Sequence, residues 1–364
     1  MRENLREGFT TGSSATAAAM SALRVMLGRS KPQSIETPLP EKGSLVIPVD
    51  RVELEGSSAR GVVIKDGGDD PDATSGHEIH AVVEHISDGK ELCVEISGGI
   101  GVGKVTLPGL PVPVGEPAIN PAPKGQIIAG VLKEVSKIKP DLKGTIKVRI
   151  EVPQGEAIAL KTMNARIGIL GGISILGTQG IVRPFSHASW KASIAQGISV
   201  AKAAGVEEII FTTGRRSERF YLEHFPETQE LAMIQAADFF SFSMLEAQTS
   251  GFRKVRWSLF IGKLVKHAMG FPYTHAKDWH IDFERLAKWC DELNINSAIT
   301  KEIAGANTAR QVFEMIPQEV KASFIATLID KAKHNALLFT NDNSMSIEYC
   351  LFDFDGNRLS VINN

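Results

Sequence analysis

Cysteine is scarce in this chain. Three residues in 364, Cys93, Cys290 and Cys350, lie far apart and form no CxxC pair. That excludes a disulfide framework and a zinc knuckle, and it fits a reducing compartment. A surplus of one charge is also missing: 40 Lys+Arg against 42 Asp+Glu leave a formal charge of −2. Domains that hold nucleic acid by neutralising phosphates carry a clear basic excess, so nucleic acid is excluded as a partner. No apolar run comes near the ~20 residues of a membrane helix. The longest, Ile167 to Leu176, is interrupted by Gly168, Gly171 and Gly172. The alanine-rich stretch Ala15 to Leu27 looks at first like a targeting leader. Glu3 and Glu7 precede it, however, and Arg24 sits inside it, a pattern that leaders avoid. A cytoplasmic protein with no membrane partner is the expectation.

What the chain does have is an ordinary globular composition, 43% apolar and 23% charged, enough for a sizeable core and wrong for disorder. Its length suits two or three domains of roughly 150 residues. Glycine stands out, with 33 residues, about 9% against a usual ~7%. Fourteen fall between Gly56 and Gly130 and five between Gly168 and Gly180, where loops would approach a ligand closely.

Residues Ser13 to Leu27 read as a helix with Ser13 or Thr11 as its cap and Gly28 as its stop. From Ser44 to Val152 short β-like runs dominate, at Leu45–Val49, Arg60–Lys65, Ile79–His85, Glu91–Ile96 and Thr145–Val152, with one helix at Gln126–Ile138. This predicts an α+β N-terminal domain, residues 1–155, with mostly antiparallel strands. Pro153 to Asn164 reads as the junction. Beyond it strands alternate with helices, beginning at Ile167–Leu170, and imply βαβ crossovers. Residues 156–364 are therefore expected to form an α/β domain with a mainly parallel, Rossmann-like sheet. A helical segment over Phe283–Ala332 and a closing hairpin, Ser346–Phe354 with Arg358–Ile362, complete it.

Gly98 to Lys104 has the GxxxxGK spacing of a phosphate loop, but Val105 replaces the Mg²⁺-ligating Ser or Thr, and Leu107 to Pro111 cannot start a helix. A glycine turn is the better reading. His77, His80 and His85 lack the i, i+4 spacing of a zinc helix, and no bound metal is expected. Asp66-Gly67-Gly68-Asp69-Asp70-Pro71-Asp72 crowds four carboxylates into seven residues; such crowding raises pKa values and suits a base or a hard cation, while a solvated turn explains it equally. The Pro-framed stretch Glu116 to Pro121 presents Glu116 and Asn120, although turn formation alone accounts for it too. Three strand-to-loop mouths suit a ligand at a sheet's carboxyl edge: Gly168 to Gly180 followed by Arg183, Thr212 to Arg216, and Phe260 to Lys263.

Several of these blocks, in order, resemble the cobalt-precorrin-5B C1-methyltransferase (CbiD) family of anaerobic cobalamin biosynthesis. They are Leu5 to Gly12, Asp66 to Asp72, Gly115 to Pro121, Gly168 to Pro184, Thr212 to Glu218, Gly262 to Leu264, Thr274-His275 and Asn307 to Arg310. The resemblance runs along nearly the whole chain. Two departures, Ser14 where the family often has Cys and Gly67 where it often has Ala, remove no charged group.

The resemblance implies methyl transfer from S-adenosylmethionine to C1 of cobalt-precorrin-5B, giving cobalt-precorrin-6A. Gly171, Gly172, Ser174, Gly177, Thr178, Thr213 and Gly214 are then the expected cofactor-binding residues. A macrocycle bearing many carboxylates asks for cations and oriented amides, so Thr10, Thr11, Ser13, Glu116, Asn120, Arg183, Arg215, Lys263 and His275 are expected to bind it. Asp69 or Asp70 would remove a proton or polarise the ring. The expected arrangement is an interdomain cleft with the methyl donor on the α/β side. A homodimer and transient contacts with neighbouring pathway enzymes fit this picture. Two other classes stay open: a nucleotide-dependent transferase using Gly98 to Lys104, and a corrinoid carrier without chemistry.

Overall fold

A computed structural model describes residues 5–359, and the contacts within it divide the chain into two units after His187. In the first, helix Thr11–Met26 is buried along almost its whole length. Its composition explains this. Alanine at 15, 17, 18, 19 and 22, together with Gly12, Ser13, Ser14 and Ser21, presents little bulk on any side, so neighbours close on it all round. Strands Ser58–Ile64 and Glu78–Ile86 pack on one side and helix Pro121–Ile138 on another.

The sheet beneath has the order Arg51–Glu55, Ser58–Ile64, Glu78–Ile86, Thr145–Glu151, Cys93–Gly98. Its neighbours are antiparallel except the last pair, which is parallel. Along Thr145–Glu151 the two-residue period places Ile146, Val148 and Ile150 inside, with Lys147 and Arg149 outside. Each such buried aliphatic side chain contributes about 1.5–3 kcal/mol. A hairpin, Ser34–Pro38 with Ser44–Pro48, flanks the same helix.

The GxxxxGK run belongs to this packing. Gly101 has φ +69°, and a Cβ there would lie 1.9 Å from the Val152 carbonyl oxygen. Lys104 sits on the two-residue strand Lys104–Val105, which pairs antiparallel with Ile169–Leu170. That pairing corrects the expected role of Ile167–Leu170 as the first strand of the parallel sheet. Ile173 and Ile175 are buried in the first unit's core and bridge to Val102 and Ile119. A short apolar run announces burial without saying in which sheet. Residues 156–187 consequently pack with the chain before them rather than the chain after.

The second unit holds a four-stranded parallel sheet in the order Met233–Gln235, Glu208–Thr212, Lys254–Phe260, Ser346–Phe352. Ile209, Ile210 and Phe211 are all buried in succession, as a strand covered on both faces requires. Helices His187–Ala203, Arg215–His224, Phe240–Thr249, Ile261–Ala268 and Gln318–Thr340 accompany the sheet. Trp257 sits in its core, 4.9 Å from the Phe211 ring and edge-on to Phe240 at 5.3 Å. Phe283–Glu292, Ser297–Ala304 and Ala309–Met315, with the first part of Gln318–Thr340, make up the expected helical segment. Of the expected hairpin, the described residues show a turn held on Asp353 and one antiparallel bridge, Phe352 to Arg358. The strand Ser346–Phe352 itself joins the parallel sheet, and residues beyond 359 lie outside the described ones. Among the described residues no helix is long and apolar enough to cross a membrane.

Candidate functional site

Each unit gathers one group of the expected residues. In the first, the gathering begins at the start of helix Thr11–Met26. Thr10 is its N-cap, accepting from the Ser13 amide at 3.2 Å. The loop 176–180 lies across that start. The Gly12 amide donates to the Leu176 carbonyl at 3.1 Å, and the Thr11 hydroxyl donates to the same oxygen at 3.1 Å. The Ser13 hydroxyl donates to the Gly180 carbonyl at 2.7 Å. Gly177 has φ +135°, and a Cβ there would lie 2.4 Å from Thr10 Cβ, so this loop meets the cap with glycine alone. Thr10, Thr11 and Ser13 are thus buried and already bonded: the Thr10 hydroxyl caps the helix, and those of Thr11 and Ser13 hold the loop.

From Gly180 onward the chain is fastened along the N-terminal segment. Ile181–Val182 pairs antiparallel with Gly8–Phe9. Arg183 pairs with Glu7 at 3.1 Å. The Phe185 amide donates to the Asp70 carboxylate at 2.9 Å. On the other side of the same segment lies the acidic loop: the Phe9 amide donates to the Asp66 carbonyl at 2.8 Å, and the Arg6 amide to the Asp69 carboxylate at 2.6 Å. Asn120 joins through its amide, which donates to the Ile175 carbonyl at 3.0 Å. Its side chain makes no cap bond to the helix that follows. Thr178 is exposed on the loop.

The acidic loop does not behave as crowded carboxylates would. The Arg6 guanidinium holds Asp66 below the usual carboxylate range. Burial pushes Asp72 upward, but the charge and hydrogen bond of Lys65, with two bonds from Thr74, outweigh it and leave Asp72 lowered. The expectation of raised values fails for these two because cations were brought to them from Arg6 and from the preceding strand.

Four expected residues lie apart from this cluster. Glu116 is exposed, and its carbonyl accepts from Val105. Gly172 packs against Gly101, where a Cβ would lie 2.2 Å from the carbonyl oxygen, so its glycine answers to packing. Gly171 opens to solvent, and Ser174 is buried nearby in sequence.

In the second unit the expected residues meet at the carboxyl ends of the parallel strands. The chain leaves strand Glu208–Thr212 for Met233–Gln235 on one side, then crosses to Lys254–Phe260 on the other. The crevice at such a reversal is where open parallel sheets hold ligands. Thr213 and Gly214 follow the end of strand Glu208–Thr212 and lead into helix Arg215–His224, with Ser217 bonded back to Gly214 at 2.9 Å. Arg215 is exposed and has no ion pair among the described residues. Arg216, by contrast, lies over the rings of Phe220, Phe260 and Phe354. From the neighbouring strand end, Lys263 pairs with Asp238 and donates to the Thr274 hydroxyl at 3.1 Å. Burial, then the Lys263 charge, holds Lys266 below the usual lysine range. His275 faces Asp278 at 3.4 Å. Burial pushes the Cys290 and Cys350 thiols up to about 12, which removes both from thiolate chemistry at neutral pH.

Sequence reasoning missed Arg6, Asp238 and Phe185. Nothing local signals them, since each acquires its partner only through the fold. Among the described residues no group of three metal-ligating side chains occurs.

Comparison with known proteins places these residues in context. Residues 1–184 match the CbiD family model, and residues 273–361 match the model for the CbiD C-terminal domain. A protein of Nitratidesulfovibrio vulgaris named cobalt-precorrin-5B C(1)-methyltransferase is 44% identical over 366 residues, covering 99% of this chain and 93% of that one. One of the same name from Priestia megaterium is 42% identical over 360 residues, covering 98% and 96%. A solved structure of a cobalamin biosynthesis protein (cbiD) from Archaeoglobus fulgidus is 30% identical, with a TM-score of 0.40, and covers 72% of this chain and 79% of that chain.

Proposed function

Because the chain belongs to the CbiD family, we propose that it methylates C1 of cobalt-precorrin-5B, with S-adenosylmethionine as the methyl donor. The observation that carries this reading is identity of 44% sustained over 99% of the chain to a relative so named. The donor's sulfonium supplies the chemistry: its methyl–sulfur bond breaks as a carbon–carbon bond forms, and the electron pair leaves on a neutral thioether. The protein's part is therefore orientation and exclusion of water rather than covalent help.

We read the second unit's parallel sheet as Rossmann-like and its carboxyl edge as the donor site. The donor's carboxylate suits Arg215 and the amides opening helix Arg215–His224. Thr213 and Gly214 let the backbone approach it closely. The glycine loop of the first unit is read as facing the macrocycle, with Asn120, Thr178 and Arg183 offered to its carboxylates. This moves Gly171 to Thr178 from the donor to the macrocycle, because their segment does not open the parallel sheet. No carboxylate is asked to take a proton in the transfer itself.

The test is anaerobic incubation of purified protein with methyl-labelled S-adenosylmethionine and cobalt-precorrin-5B. One labelled methyl on the corrinoid is expected, without added nucleotide and undiminished by Lys104→Ala. A corrinoid bound and released unchanged would make the protein a carrier. Calorimetry with the donor alone locates its site: Arg215→Ala should weaken binding about tenfold, the loss of one charge-assisted hydrogen bond. Unaltered affinity would move the donor elsewhere.

A further inference from the structure

Phe185 combines two properties that rarely coincide. Its backbone has φ +56°, a region that a bulky side chain enters only when its surroundings insist. The residue is nonetheless 69% exposed, so no packing of its ring inside the protein accounts for the conformation. What holds it is the Asp70 carboxylate, which accepts the Phe185 amide at 2.9 Å, together with the pairing of Ile181–Val182 to Gly8–Phe9 just before it. The same short stretch carries the Arg183 guanidinium, which pairs with an exposed glutamate, Glu7.

Resting on the function proposed above, we infer that Phe185 is a contact for the face of the corrinoid and that Asp70 is a positioning residue rather than a base. A tetrapyrrole-derived ring presents a broad apolar face rimmed by carboxylates. An aromatic ring held out to solvent beside a guanidinium matches that pattern: the phenyl group covers the face and the cation meets the rim. Asp70 contributes by fixing the backbone turn that aims the ring. An aspartate serving as base would have no need of that bond, and an aspartate serving as anchor would have no need of its charge.

The two roles separate on one substitution. Asp70→Asn keeps an oxygen that accepts the Phe185 amide but cannot act as a base, so turnover and corrinoid KM should both stay within about twofold of the native protein. Asp70→Ala loses the acceptor and should raise corrinoid KM about tenfold with kcat little changed. Phe185→Ala should do the same, and the double variant should be no worse than either single one. Phe185→Gly tolerates the positive φ unaided, so it should melt no lower than the native protein and yet bind corrinoid as weakly as Phe185→Ala. Direct titration of cobalt-precorrin-5B, followed by its visible spectrum, gives affinity independently of turnover. If Asp70→Asn lowers kcat more than tenfold at unchanged corrinoid affinity, the carboxylate is a base and the inference falls. It falls equally if Phe185→Ala binds corrinoid normally, or if that variant changes the oligomeric state in sedimentation. Failure of the native protein to bind or methylate the corrinoid would instead overturn the underlying function.

Discussion

Lys65 is only 2% exposed, and among the described residues its one ion partner is Asp72. A lysine ammonium so deeply placed depends on that partner, since a buried charge left alone costs far more than a pair contributes. Replacing Asp72 with Asn should therefore destabilise the protein by about 3–5 kcal/mol near pH 7. The pH dependence has a definite sign. Asp72 titrates lower in the folded chain than its ordinary value, so its stabilisation is present above about pH 4 and disappears as pH falls through the folded value. Urea denaturation of the native protein and Asp72→Asn at pH 7, 5 and 3 should show the gap closing at the acid end. A gap of constant size would mean that the loss comes from the Thr74 bonds and not from the ion pair. None of this was legible in the run Asp66 to Asp72. Four acidic letters predict mutual repulsion, and their cations come from Arg6, 60 residues away, and from Lys65 turned inward.

At the scale of elements, helix Thr11–Met26 was legible and its beginning was not. The alanines announce it, but Thr10 rather than Thr11 or Ser13 caps it, because the loop 176–180 occupies the hydroxyls of the other two. The start of helix Pro121–Ile138 had a readable signal that the loop reading passed over. Proline is at home in a helix's first turn, where its missing N–H is no loss, and Pro121 and Pro123 stand there. The strand Ser34–Pro38 went unread because Ser, Thr and Pro dilute its apolar pattern, whereas Arg51–Glu55 was passed over although it alternates strictly, with Val52 buried and Leu54 exposed. The fit between cap and loop makes a prediction. Gly177→Ala adds a methyl within 2.4 Å of Thr10 Cβ, so the loop has to lift. The expected cost is about 1–3 kcal/mol, larger than the ~1 kcal/mol of Thr10→Ala. Amide exchange at Gly12 and Ser13 should accelerate in Gly177→Ala, and protection retained there would show the loop yielding elsewhere.

For the whole molecule, the rhythm of the sequence reports the two sheets well. Antiparallel runs with period two precede residue 152, and continuous apolar strands between helices follow residue 205. The segment between them was the hard part. Ile169 to Leu176 has the composition of a buried parallel strand, and only its distant partners, Val102, Lys104 and Ile119, decide otherwise. Glycines next to cations marked the two edges that we propose to face ligand, but residue identity could not tell that Thr11 would be used up in holding a loop.

The pairing of Gly8–Phe9 with Ile181–Val182 has a consequence during synthesis. The first strand of the unit waits for nearly the last, so the start of helix Thr11–Met26 stays uncovered until residue 182 has left the ribosome. At 5–20 residues per second that is a wait of roughly 10–35 s, with an alanine-rich helix lacking its cover. Stalled nascent chains exposing residues up to 170 should therefore be cut readily by protease near their beginning, and chains exposing residue 190 should resist. Resistance already at 170 would mean that the helix is protected by its sheet alone. The chain thus closes its first half with the same segment that presents Arg183 and Phe185, so those side chains reach their final setting only when that half is complete.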